Sequence, residues 1–277
     1  MKETAPLFVR TLLVVDRIMS AIWRTSVMVR DETLWAWASK VDRERTNRTI
    51  YSGLKTYVPG GGTFETGLFD WEAEVLKSSF PPTGRILLGA AGGGRELAVL
   101  GRMGYEVVAF EPVPALADAA RTVASAYPGS RVVRASYTDI VAAAENGSGP
   151  LAPDVCGREF HGVILGWSSF CYVWREDREA LLRALRAVAP HAPVLLSCLM
   201  SEPTPQGRMG SLRLVLRRLL RFAGSRSLAE PGDAFEPWAG FFQTLTSEEV
   251  RSLAARTGYK PVCVKGPPGP HSLLVPE

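Results

Sequence analysis

Arg85-Ile86-Leu87-Leu88-Gly89-Ala90-Ala91-Gly92-Gly93-Gly94-Arg95-Glu96-Leu97 is the stretch from which the rest of the chain can be read. Ile86 to Gly89 is a short run of apolar or small residues, the pattern of a buried strand. The glycines behind it remove side chains where backbone must turn sharply or come close to a ligand. Ala98, Val99 and Leu100 lead through Gly104 into a second apolar run, Tyr105 to Phe110, which ends on an acid, Glu111. Strand, glycine turn, short helix and second strand follow from this order. In that geometry the turn amides and the helix N-terminus face one part of a nucleoside-bearing ligand. An acid ending the second strand accepts hydrogen bonds from ribose hydroxyls. A glycine run alone reads equally well as a tight structural turn; Glu111 at this separation moves the reading toward nucleotide or nucleoside binding.

Outward from this unit, the elements alternate as in a parallel-sheet domain. Residues 114–126 are alanine-rich and suit a helix, 130–135 a strand, 139–144 a short helix and 146–153 a surface turn. A buried strand is expected over 161–166, a helix over 177–188 with Leu181, Leu182 and Leu185 on its apolar face, and a fifth strand over 193–198. Phe241 and Phe242 fall in a short strand, Thr246 caps a helix that Gly258 ends, and residues 260–265 and 271–275 form a terminal hairpin. The chain of 277 residues is 46% hydrophobic, enough for a substantial core. Cys156, Cys171, Cys198 and Cys263 lack the spacing of a metal site or disulfide framework, which fits reduced thiols and a cytoplasmic protein.

Residues 1–79 read as a helical accessory region. Its greasy start is interrupted by Arg10, Asp16, Arg17 and Arg24, so it is neither a membrane span nor a clear signal peptide but an amphipathic helix packed on the body or against a partner. Helix is expected again over residues 33–45. Residues 51–64 contain Val58-Pro59-Gly60-Gly61-Gly62, a turn that bends over a pocket, and Tyr51, Tyr57, Phe64 and Trp71 are candidate pocket walls or ordinary packing residues. The formal net charge of +4 is uneven. A basic amphipathic insertion at about 202–237 alternates Arg208, Arg213, Arg217, Arg218 and Arg221 with leucines. A helix over the active site is the preferred reading; peripheral membrane contact through Arg208 to Arg221 is the other. There is no strong nucleic-acid signal.

Together these segments resemble the class I S-adenosylmethionine-dependent methyltransferases. The resemblance rests on Leu87 to Leu97, on Val107-Val108-Ala109-Phe110-Glu111, on Gly162-Val163-Ile164-Leu165-Gly166-Trp167, and on the Leu245 to Val250 helix start with the Gly258-Tyr259 turn. It covers about residues 80–275. It implies an α/β fold: a Rossmann-like, mostly parallel seven-stranded sheet with helices on both faces and a C-terminal antiparallel hairpin. The family's first loop glycine falls on Ala90, a replacement compatible with a negative φ there, and the later two fall on Gly92 and Gly94. Ser136 stands near the position where an acid often follows the third strand, and Asp139, one helical turn on, does not inherit that role.

By resemblance, Gly89, Ala90, Gly92 and Gly94 form the loop that admits the methionine and ribose portions of S-adenosylmethionine. Arg95 orients the methionine carboxylate or is an ordinary helix-start arginine. Glu111 takes the ribose hydroxyls, Ser136 and Tyr137 lie near adenine, and Trp167, Ser168 and Phe170 lie between cofactor and acceptor. Tyr51 and Tyr57, with Ser168 and Phe170, are the substrate-side candidates. The implied chemistry is direct displacement, with no metal and no covalent intermediate. His161, expected in the core, His191 and His271 form no catalytic triad; Asp139 and Glu202 are possible pocket or capping acids. A small-molecule acceptor is favoured over a peptide. The other readings are a non-catalytic cofactor-binding protein and a nicotinamide-dependent oxidoreductase, whose fingerprint requires glycine where Leu97 stands.

Overall fold

Hydrophobic alternation gives way to continuous burial in the central strands, as expected where helices cover both faces of a parallel sheet. The computed structural model describes residues 6–201, 209–225, 227–266 and 269–277. Two helices open the chain, α1 (Leu7–Trp37) and α2 (Lys40–Ser52), followed by the short α3 (Gly62–Glu65) and α4 (Asp70–Ser79). The sheet region then runs β1 (Arg85–Gly89), α5 (Arg95–Arg102), β2 (Glu106–Phe110), α6 (Pro114–Ala124), β3 (Arg131–Val133), α7 (Tyr137–Asn146), α8 (Ala152–Val155), β4 (Gly162–Leu165), α9 (Arg178–Val188) and β5 (Val194–Ser197). Helix α10 (Met209–Phe222), a β6 (Asp233–Glu236) and β7 (Gly240–Gln243) ribbon, α11 (Ser247–Arg256), β8 (Tyr259–Lys265) and β9 (His271–Pro276) complete it.

The main sheet has seven strands in the order β3-β2-β1-β4-β5-β9-β8, parallel through β5 and antiparallel in the terminal pair. This is the expected Rossmann-like sheet with its hairpin. The order reverses beside β1, where β2 lies on one flank and β4 on the other, so a crevice opens above the C-terminal ends of these strands. Leu87, Val108, Val163 and Val194 face one layer of core, and Ile86, Leu88, Val107 and Ile164 face the other.

Three elements depart from the sequence reading. Residues 33–45 are not one helix: the chain breaks at Ala38, and Ser39 restarts it, its hydroxyl accepting from the Asp42 amide at 3.2 Å while the Asp42 carboxylate accepts from the Ser39 amide. Residues 146–153 are not wholly a turn, since α8 begins at Ala152. Within the 202–237 insertion, β6 pairs with β7 as a separate antiparallel ribbon. The C-terminal half of α1 is fixed by a third small core in which Trp35 meets Trp174 and Phe241 edge to face, with the Arg43 guanidinium 4.2 Å from the Trp35 ring centre.

Candidate active site

A cavity of about 460 Å³ occupies the crevice at the strand ends, within the range of small-molecule and cofactor sites. Its floor includes Ala90 to Gly93, Glu111, Ser136 and Tyr137; Trp167 and Ser169 form the wall after β4. Its roof is α2, through Glu44, Asn47 and Tyr51, together with Tyr57.

The glycine loop is shaped by two demands. Gly92 has φ 55°, and a Cβ there would meet no protein atom within 4 Å, so the bare backbone leaves space on the cavity wall. Gly93 lies under the accessory region: a Cβ would stand 2.2 Å from the Tyr57 carbonyl oxygen. The loop and the roof are therefore in direct backbone contact. Ala90 has φ 53°, the left-handed value and not the negative φ that accommodates alanine without strain. It adopts the left-handed conformation at a cost of about 1–2 kcal/mol, so the loop geometry is kept although the residue is not glycine. Gly89 and Gly94 do not line the cavity. A Cβ at Gly89 would meet the Phe110 ring at 2.8 Å, and Gly94 opens α5 close against Ala120 of α6.

Glu111 is buried, and its two oxygens accept hydrogen bonds from the Gly92 and Val113 amides, both at 2.9 Å. Burial pushes its carboxyl up to about 7 against the pull of those two donors, with Glu96 raising it further. Arg95 is buried, not an exposed helix-start residue, and lines the cavity beside Glu96. Its guanidinium donates to both Glu72 oxygens at 2.7 and 2.8 Å, to Glu96 at 2.6 Å and to the Gly67 carbonyl, and it stacks over Phe69. It pins α4 to α5. Glu96, which sequence reasoning did not single out, also accepts from the Trp167 amide at 3.3 Å, tying the loop after β4 into the same buried cluster.

Ser136, the N-cap of α7, donates its backbone amide and its hydroxyl to the Asp139 carboxylate at 2.7 and 2.8 Å, so Asp139 is a capping acid. The Tyr137 hydroxyl lies 2.6 Å from that of Ser169. Ser169 lines the cavity where Ser168 was expected; Ser168 sits at φ 55° on the turn, and Phe170 is wholly buried in the core. On the roof, Tyr51 and Tyr57 line the cavity as expected, and Tyr51 shares a 2.7 Å hydroxyl contact with Tyr172. Burial raises the phenols of Tyr51, Tyr57, Tyr137 and Tyr172 above their ordinary value, so each stays protonated at neutral pH.

Asn47 is another residue the sequence reading missed. Its amide donates to the Phe241 carbonyl at 2.8 Å and accepts from the Phe241 amide at 2.7 Å, completing the open edge of β7 as a strand would. Among the described residues no histidine lines the cavity. His161 is exposed, not in the core, and accepts from the Arg85 amide because it stands at the strand's N-terminal edge. His271 is buried and stacked on Trp71, which is likewise a packing residue and not a pocket wall. Glu202 and Arg208 lie outside the described residues. Helix α10 does not cover the cavity: its Arg213 and Arg217 reach Glu32 of α1 instead. No metal-binding cluster of acids, cysteines and histidines occurs among the described residues.

No family model and no curated protein matches the chain. Solved structures do. A Leishmania major S-adenosylmethionine-dependent methyltransferase is similar over 85% of this chain and 82% of its own, at 14% identity and a TM-score of 0.52. The glycopeptide N-methyltransferase MtfA in complex with S-adenosylhomocysteine is similar over 80% of this chain and 99% of its own, at 19% identity and a TM-score of 0.50. DesVI of Streptomyces venezuelae follows at 15% identity and a TM-score of 0.50, over 74% of this chain and 89% of its own. The chain has the class I methyltransferase fold.

Proposed function

We propose that this protein binds S-adenosylmethionine in the strand-end cavity and transfers its methyl group to a small-molecule acceptor. One observation carries the reading. Glu111, at the end of β2, accepts the Gly92 amide at 2.9 Å, and both residues line a cavity that also contains Ser136 and Tyr137 from the end of β3. These residues suit the cofactor. Bare backbone at Gly92 leaves room beside the loop, and the Glu111 oxygens retain lone pairs for ribose hydroxyls beyond the one backbone bond each accepts. Tyr137 and Leu116 offer apolar surface for a purine. The group supplies, when bound, an activated methyl open to direct displacement by an oxygen, nitrogen, sulfur or carbon nucleophile.

The protein's own contribution is position and dryness. The roof of α2 closes over the floor, and the Gly93 contact with Tyr57 leaves little space for a polymer to thread between them. A small molecule fits this enclosure better than a peptide. The cavity's phenols are held protonated, so they orient an acceptor as hydrogen-bond partners and do not withdraw its proton. Ser169, Tyr51, Tyr172 and Trp167 are the groups beside which an acceptor is held, and rate enhancement comes from alignment and exclusion of water.

Calorimetric titration with S-adenosylhomocysteine tests the cofactor assignment. Glu111→Ala is expected to bind about tenfold to a hundredfold more weakly, the loss of charge-assisted bonds. Unchanged affinity in a folded variant overturns the assignment. Incubation with labelled S-adenosylmethionine and a panel of small amines, phenols and thiols separates turnover from binding without transfer.

A further inference from the structure

The most apolar exposed surface of the molecule lies outside the cavity, on α1 and α10. From Thr11 to Met19 every residue of α1 is exposed, and the N-terminal half of this helix stands clear of the core. Phe8, Leu12, Val15, Met19 and Ile22 recur at three- and four-residue steps and form one apolar stripe, each more than half or about half exposed. Arg10, Arg17 and Arg24, seven apart, lie on the opposite side and are exposed. On α10, Leu212, Val215, Leu219 and Phe222 form a second exposed stripe, with Phe222 94% exposed, and Arg218 and Arg221 flank it.

The two helices are clamped together. Glu32 of α1 is fully buried and receives Arg213 at 2.5 Å and two of the three guanidinium nitrogens of Arg217, Nε and Nη2, at 2.9 Å. The clamp fixes α10 to the C-terminal half of α1, and the apolar stripe of α1 continues N-terminal to it. An exposed apolar area of this kind marks an interaction surface, and its charge selects the partner. On α10, which has no acid, Glu32 takes up Arg213 and Arg217 and leaves Arg218 and Arg221 exposed, and the clear-standing part of α1 carries three arginines and one acid, Asp16. A two-fold pairing of copies through this face sets like charges against like. An anionic surface is complementary to it. Among the described residues no helix is long and apolar enough to cross a membrane, so the geometry is that of helices lying in an interface, apolar side down and arginines at headgroup level.

We propose that α1 and α10 together dock this protein onto an anionic lipid bilayer. The inference rests on these helices and is independent of the chemistry assigned to the cavity.

Cosedimentation of the full chain with vesicles tests it. The protein is expected to pellet with vesicles of equimolar phosphatidylcholine and phosphatidylglycerol, to remain in solution with phosphatidylcholine alone, and to be released by high salt. Replacing Arg218 and Arg221 together by alanine is expected to lower the partition coefficient about thirtyfold, from about fivefold per arginine at a charged surface. Both side chains are exposed, and an unchanged thermal transition establishes that the fold is intact. If that variant does unfold, R10A/R17A on the other helix carries the same expectation. Failure to pellet with the mixed vesicles, equal binding to both compositions, or undiminished binding by both variants overturns the proposal. So does a stable dimer in sedimentation velocity that Phe222→Ser dissociates, because a second copy then occupies the face.

Discussion

The cavity has a floor built from the ends of β1, β2 and β4 and a roof built from α2 and the loop around Tyr57. The floor is held by the backbone ladder of a buried parallel sheet and by Arg95, Glu72 and Glu96, which lie within 25 residues of one another. The roof is held by individual side-chain hooks over long separations: Asn47 to Phe241, Tyr51 to Tyr172, and Glu44 to the Trp174 indole at 3.1 Å. In the function proposed above, the floor holds the cofactor and the roof selects the acceptor. The floor's geometry tolerates little change, and the roof's attachments are few enough to be exchanged singly.

That contrast can be broken at the floor first. Arg95→Leu leaves Glu72 and Glu96 buried without their cation, and a loss of about 3–5 kcal/mol is expected, read from the denaturant midpoint. A change under about 1 kcal/mol would contradict the clamp. At the roof, Asn47→Ala removes both hooks on Phe241 and is expected to cost about 1–3 kcal/mol, with the loss in roof attachment visible as faster hydrogen exchange in α2 and not in β1. Uniform exchange changes would show that floor and roof unfold as one unit.

The pH dependence of Glu111 sharpens the floor's role. If ribose hydroxyls require the ionised carboxylate, a group at about 7 makes cofactor affinity rise by about tenfold between pH 6 and pH 8, and Glu111→Gln flattens the profile. The sign for stability is opposite. The folded state keeps a proton that an ordinary carboxyl releases near 4.5, so this group's contribution to stability is full below that value and is lost as the pH rises to about 7. The smallest effect is at Ala90. Replacement by glycine relieves the left-handed backbone but adds freedom to the unfolded chain, for a net gain of about 0.5 kcal/mol, a rise of a degree or two in a thermal melt.

The mostly parallel seven-stranded sheet, its terminal hairpin and the Glu111 floor were legible because strand burial and the glycine loop are local patterns. Boundaries moved by a residue or two, and the Ser39 restart and the β6–β7 ribbon escaped, although the capping box at Ser39 and Asp42 was present to be read. The roof was only half legible. Tyr51 and Tyr57 stood out as aromatics beside a glycine turn, whereas Asn47 is a single polar residue on a helix whose role exists only once β7 arrives. Arg95 shows another limit: its position pointed to the cavity it lines, but its ion pair with Glu72, 23 residues earlier on another helix, was not legible. The α10 arginines were visible as a basic stripe, but what they face depends on Glu32, 185 residues away from Arg217.

The hook between Asn47 and Phe241 spans 194 residues. At cellular synthesis rates of about 5–20 residues per second, α2 leaves the ribosome roughly 10–40 seconds before the strand it fastens to. During that interval Tyr172, Trp174 and Asp177 become available to Tyr51, Glu44 and Lys40, so Asn47 is the last of these α2 side chains to meet its partner.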